Sequence, residues 1–153
     1  MSSIERSIDV EVPVRTAYDQ WTQFEDFPRF MEGIKEVHQL DADRLHFRAN
    51  VGGKELEWDA RITEQAPDQR IAWRSTDGPA NTGVVTFHRL KPSETRVMLQ
   101  VEYDPEGFLE KVGDVLGFVS AQVRGDLERF KAFIENRGAE TGAWRGEISH
   151  ENP

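Results

Sequence analysis

The sequence predicts an α+β domain: a curved antiparallel sheet of roughly seven strands wrapped around one long C-terminal helix, with two short helices after the first strand. Three observations predict it. Apolar and polar residues alternate in segment after segment between Ile34 and Asp104. Compact turn signals separate those segments. Beyond Asp104 the apolar spacing changes to the helical 3.6 and holds to about Asn136.

Ile4, Ile8, Val10 and Val12 fall on one face of the first segment, which reads as a half-buried strand ended by Pro13. Arg6 shares that apolar face. Val14, Ala17, Trp21 and Phe24 recur at helical spacing. A second short helix is expected near Asp26–Met31, with Asp26 as its cap, Pro28 in its first turn and Gly33 closing it. The meander follows. Leu45, Phe47, Ala49 and Val51 share a face, as do Leu56, Trp58, Ala60 and Ile62; Ile71 and Trp73; Val85 and Phe87; and Val97, Leu99, Val101 and Tyr103. Gly52-Gly53 is the strongest hairpin signal, because both residues tolerate the positive φ that tight two-residue turns use. Asp104 and Pro105 suit the start of the long helix, whose stripe is Leu109, Val112, Val115, Leu116, Val119, Val123, Leu127, Phe130 and Ile134. Gly138 suits its stop. The folded domain is therefore expected over 1–137, and 138–153, small and polar apart from Trp144 and Ile148, as a flexible tail.

Bulk properties exclude several functions. A net charge of −9 opposes phosphate binding, so no nucleic-acid partner is expected. With no cysteine there is no disulfide, thiolate nucleophile or cysteine metal site. The opening residues lack the apolar core of a signal peptide, and no apolar run approaches the roughly 20 residues that span a bilayer; the expected address is the cytoplasm, without integral membrane association. His38, His46, His88 and His150 show no metal-ligand spacing, so no metal is expected, nor any cofactor.

Several stretches together carry a family resemblance. These are Phe24-Glu25-Asp26-Phe27-Pro28-Arg29-Phe30-Met31, Ile71-Ala72-Trp73, Asn81 to Phe87, Thr95-Arg96-Val97 and Asp126-Leu127-Glu128-Arg129-Phe130-Lys131. In their order and spacing they resemble the polyketide cyclase/dehydrase-like (SRPBCC) proteins over about residues 3–136. The resemblance implies the helix-grip fold, shared with START lipid-binding domains and pollen-allergen-like carriers, and a deep hydrophobic cavity between sheet and helix. It fixes no chemistry, since such proteins include carriers, aromatase/cyclases, quinone-binding proteins and chaperone activators.

The expected function is binding of a small hydrophobic molecule, such as a lipid, isoprenoid or polyketide, between sheet and long helix. Trp21, Phe27, Phe30, Phe47, Trp58, Trp73, Ser75, Phe87, Tyr103, Val112, Leu116 and Val119 are the expected lining. Two other readings stay open. An aromatase/cyclase or dehydratase would need acid–base groups inside, for which Arg6 and Tyr103 are the candidates. Asp126, near the helical stripe, is a candidate partner for Arg6 in a structural clasp. A stress-response or protein-interaction module would bind a protein through the exposed face of the long helix. The small-residue stripe Gly113, Gly117, Ala121 and Gly125 fits close approach of the short helices or of a second subunit in a homodimer, a flexible lid, or an incidental small-residue surface.

Overall fold

The computed structural model of the chain describes residues 2–104 and 115–149, with side chains from 117 onward in the second stretch. The first strand, β1 (Ser2–Val10), leads into α1 (Val14–Trp21) and a 3-10 helix (Phe24–Arg29). Six strands follow: β2 (Ile34–Gln39), β3 (Arg44–Val51), β4 (Lys54–Ala66), β5 (Arg70–Ser75), β6 (Asn81–Lys91) and β7 (Glu94–Tyr103). The long helix α2 (Val115–Arg137) and a two-residue strand β8 (Ile148–Ser149) complete the chain.

All pairings are antiparallel, in the spatial order β1-β7-β6-β5-β4-β3-β2. Short hairpins generate the meander, and β1 joins its far edge by pairing with β7 from Ser2↔Tyr103 to Val10↔Thr95. Gly52 and Gly53 turn β3 into β4 at φ 61° and 87°, as the sequence predicts.

The concave face is apolar because the alternation holds along every strand. Leu45, Phe47 and Ala49, then Leu56, Trp58, Ala60 and Ile62, then Val97, Leu99 and Tyr103 are buried in register. Across this face lies α2, about 35 Å long over its described part. Val123, Leu127, Phe130 and Ile134 recur at three- and four-residue spacing and form its buried side. Phe130 meets Trp21 at 5.4 Å and Phe30 at 5.2 Å, ring centre to ring centre, so α1, the 3-10 helix and α2 share one aromatic cluster. Gly138 stops α2 at φ 72°, its N–H donating to the Ile134 carbonyl at 2.9 Å.

Two sequence expectations need correction. The second short helix is a 3-10 turn that starts at Phe24, with Gln23 as its cap residue. Asp26 lies inside it, and its carboxylate accepts a hydrogen bond from the Thr141 hydroxyl at 2.5 Å. The expected helix start beyond Asp104, the apolar-stripe residues Leu109 and Val112, and Gly113 of the small-residue stripe lie outside the described residues.

The second correction concerns the end of the chain. Residues 139–149 lie back along α1 as a strap. Thr141 exchanges two hydrogen bonds with the Gln20 amide at 2.9 and 3.0 Å. The Trp144 N–H donates to the Thr22 hydroxyl at 3.1 Å. Ile148 then pairs with Gln65. The site for β8 exists because β4 outruns its neighbour: β3 pairs with β4 only as far as Arg61, leaving that edge of β4 open at Glu64 and Gln65.

Candidate functional site: an apolar cavity beneath the long helix

Packing between sheet and helix leaves a cavity of about 200 Å³. Its floor is the concave face of the sheet, including Leu45, Phe47, Trp58, Ile62, Ile71, Trp73, Val85, Leu99, Val101 and Tyr103. Its roof is α2 through Val119, Gln122, Val123, Asp126 and Leu127. Trp21, Phe24, Phe27, Met31 and Ile34 form the side, carried by α1, the 3-10 helix and the turn into β2. Phe130 and Ile134 of α2 are fully buried and absent from the cavity wall, whereas Val119, Val123 and Leu127, nearer its start, border the hollow.

Seven of the residues expected to line a site therefore stand on the cavity wall: Trp21, Phe27, Phe47, Trp58, Trp73, Tyr103 and Val119. Three stand elsewhere. Phe30 is wholly buried in the aromatic cluster, against Phe130 and Phe133. Phe87 packs edge-on against Tyr18 at 5.3 Å, at the α1 end of the sheet. Ser75 is taken up by the turn into β6, accepting a hydrogen bond from the Asn81 N–H at 3.0 Å. Val112 and the side chain of Leu116 lie outside the described residues.

Arg6 is exposed, and its guanidinium donates to the Ser120 hydroxyl at 2.7 and 3.2 Å. It joins β1 to α2 at the edge of the sheet and is absent from the cavity wall. Asp126 is not its partner.

Asp126 instead belongs to the wall, a position that reading it as a clasp overlooked. Its carboxylate accepts from Arg129 at 2.6 Å and from the Gln122 amide at 3.2 Å. Arg129 is itself anchored by donating to the Phe30 carbonyl at 3.0 Å and pairing with Glu32 at 3.2 Å. Burial raises the Asp126 carboxyl above the usual carboxylate range, although the bonds from Arg129 and Gln122 act the other way. With Asn81 and the buried Tyr103, these groups give an otherwise apolar wall a few polar points. The available signal was the interruption of the apolar stripe at 122 and 126, one turn apart.

Phe47 and Trp58, opposite each other in the β3–β4 ladder, stack at 5.3 Å with 11° between ring planes and present a flat aromatic surface. Among the described residues no three His, Asp or Glu side chains converge as a metal site. Among them, too, no helix is long and apolar enough to cross a membrane.

A curved antiparallel sheet gripping one long helix over an apolar hollow defines the helix-grip class. Known structures share the architecture. The aromatase/cyclase ZhuI from Streptomyces sp. R1128 superimposes with a TM-score of 0.76 at 14% identity, covering 94% of this chain and 99% of that one. A START superfamily protein from Mycobacterium smegmatis gives 0.69 at 16% identity, covering 88% and 95%. A Deinococcus radiodurans protein gives 0.71 at 25% identity, covering 90% and 99%. At the sequence level, an uncharacterized 17.2 kDa protein of Streptomyces lincolnensis is 56% identical over 149 residues, 97% of this chain and 99% of its own length. The chain belongs to the family described as polyketide cyclase/dehydrase and lipid transport, whose pattern matches residues 10–132.

Proposed function

We propose that the protein binds a small, predominantly apolar molecule in the cavity beneath α2. The observation that carries this reading is the hollow itself, with Phe47, Trp58, Trp73, Leu99 and Val123 around it. At about 24 cal/mol per Å³, the coefficient for sealed cavities, an empty space of about 200 Å³ costs at most on the order of 5 kcal/mol, against the ~5–15 kcal/mol that holds a domain together. An apolar hollow of that size suits a ligand. Membership of a family that includes lipid transport agrees with it. The size suits a compact ligand of one to three rings or a short chain, below the ~300 Å³ at which drug-sized sites begin. Native mass spectrometry of the protein isolated from its own cells tests this. A co-purifying apolar mass is expected; a protein that neither carries one nor takes one up from a lipid and polyketide extract overturns the reading.

A second reading is favoured by Asp126. A carboxyl raised by burial, held by two hydrogen bonds at the wall of an apolar site, suits proton transfer to a carbonyl-bearing substrate. The likeness to ZhuI, named an aromatase/cyclase, suggests cyclisation or dehydration of a polyketide chain as the reaction class. Asp126 and Tyr103 would carry it, whereas Arg6 is held at the sheet edge. Asp126→Asn and Tyr103→Phe are expected to lose turnover of a polyketide thioester while still binding it. Unchanged turnover in both overturns this reading and leaves the binding proposal standing.

A further inference from the structure

We propose that Gly83 sets the depth of the cavity floor, and thereby the longest apolar ligand the protein accepts. The inference rests on the cavity being the ligand site. Gly83 lies within the eleven-residue strand β6, where glycine weakens the strand relative to any residue with a side chain. Its backbone gives no reason for glycine, since it is not among the residues with positive φ. The reason lies above it.

Trp73 is the direct partner of Gly83 across the β5–β6 ladder, and its indole lies flat over the glycine. A Cβ at position 83 would stand 2.3 Å from Cζ2, 2.7 Å from Cε2 and 2.8 Å from Cη2 of that ring. Carbon atoms rest at about 3.5–4.0 Å, so any side chain at 83 must lift the ring by roughly 1 Å or more. The sheet blocks the ring from below. Neighbours on the same face of the adjoining strands, Ile62, Val85 and Val101, are cavity wall. The lifted indole therefore enters the cavity. Glycine at this position lets one of the two tryptophans of the floor lie as a thin plate.

The test uses a ladder of straight-chain alcohols from butanol to dodecanol, each displacing the fluorophore 1-anilinonaphthalene-8-sulfonate. In Gly83→Ala the longest alcohol that still gains affinity should be shorter by one or two carbons. The wild-type optimum should bind about 4- to 15-fold more weakly, the effect of losing one or two methylene contacts. Trp73→Leu should move the optimum the other way. An optimum that stays the same in both variants overturns the proposal. Should Gly83→Ala fail to fold, Gly83→Ala combined with Trp73→Leu should restore folding, because the clash is gone; no restoration overturns it. If the wild type binds none of the alcohols, the ligand-site reading fails. The floor claim is then decided by a crystal structure of Gly83→Ala, in which a displaced indole supports it and an unmoved one contradicts it.

Discussion

The guanidinium of Arg145 sits 2.6 Å from the carboxylate of Asp19, a residue of α1 whose side chain is only 3% exposed. Arg145 also reaches Asp68 at 2.9 Å and lies over the Tyr18 ring at 5.6 Å. One side chain of the strap thereby ties α1 to the β4–β5 turn. Burial raises the Asp19 carboxyl, and Arg145 opposes that shift. Arg145→Ala leaves a buried charge without its main counter-ion; the exposed Arg15, at 3.7 Å, is a weak substitute. Since Arg145 keeps 27% of its own side chain in water, the expected loss is about 2–3 kcal/mol, below the ~3–5 of a wholly buried pair. Adding Asp19→Asn should recover part of it. Urea unfolding of the two single variants and the double variant checks this; additive losses would contradict it.

Asp126 predicts a pH dependence with a definite sign. Its carboxyl holds a proton more tightly in the folded protein than at its ordinary value of 3.8. Acidification through the raised value and down toward 3.8 therefore adds stability from this group, and neutral pH withholds it. Wild type minus Asp126→Asn, measured by urea unfolding at a series of pH values, should rise as pH falls across that window. A difference that falls on acidification would mean that Arg129 outweighs burial.

Val119 stands on the roof of the cavity, and a larger side chain there has space to enter. Val119→Trp should leave the melting temperature unchanged or raised, because it fills a void instead of crowding a packed site. Binding of apolar probes should weaken more than tenfold. Retained affinity in a folded variant would place the ligand somewhere else.

Phe130 plays the opposite part. It is 0% exposed and bridges Trp21 and Phe30, where the interior is solid. Phe130→Ala should cost about 3–5 kcal/mol in thermal or denaturant unfolding. A loss below 1 kcal/mol would show that the cluster is loosely packed.

The sheet was legible because the pleat sends alternate side chains to opposite faces, so Leu45, Phe47 and Ala49 declare their side without reference to any partner. That same signal is silent on position along the strand. Phe87 and Val85 share a phase, yet Val85 borders the hollow and Phe87 packs against Tyr18. Where a void falls depends on how helix and sheet diverge, which periodicity does not encode.

The strap was illegible for a related reason. Thr141, Trp144 and Arg145 hold on through polar contacts to residues more than a hundred positions earlier. A short polar stretch without periodicity looks like solvent-exposed chain until Gln20, Thr22 and Asp19 are placed beneath it. Arg6 reads in the sequence as a charge on the apolar face of its strand with Asp126 as a candidate partner, yet it lies exposed at the sheet edge and its partner is the neutral hydroxyl of Ser120.

The central claim is that side chains leave a dry hollow open to an apolar guest, and xenon reports on that directly. A crystal of the protein pressurised with xenon should show strong density among Trp58, Ile71, Leu99 and Val123. Absence of xenon there, with those four side chains drawn together across the gap, would contradict the account.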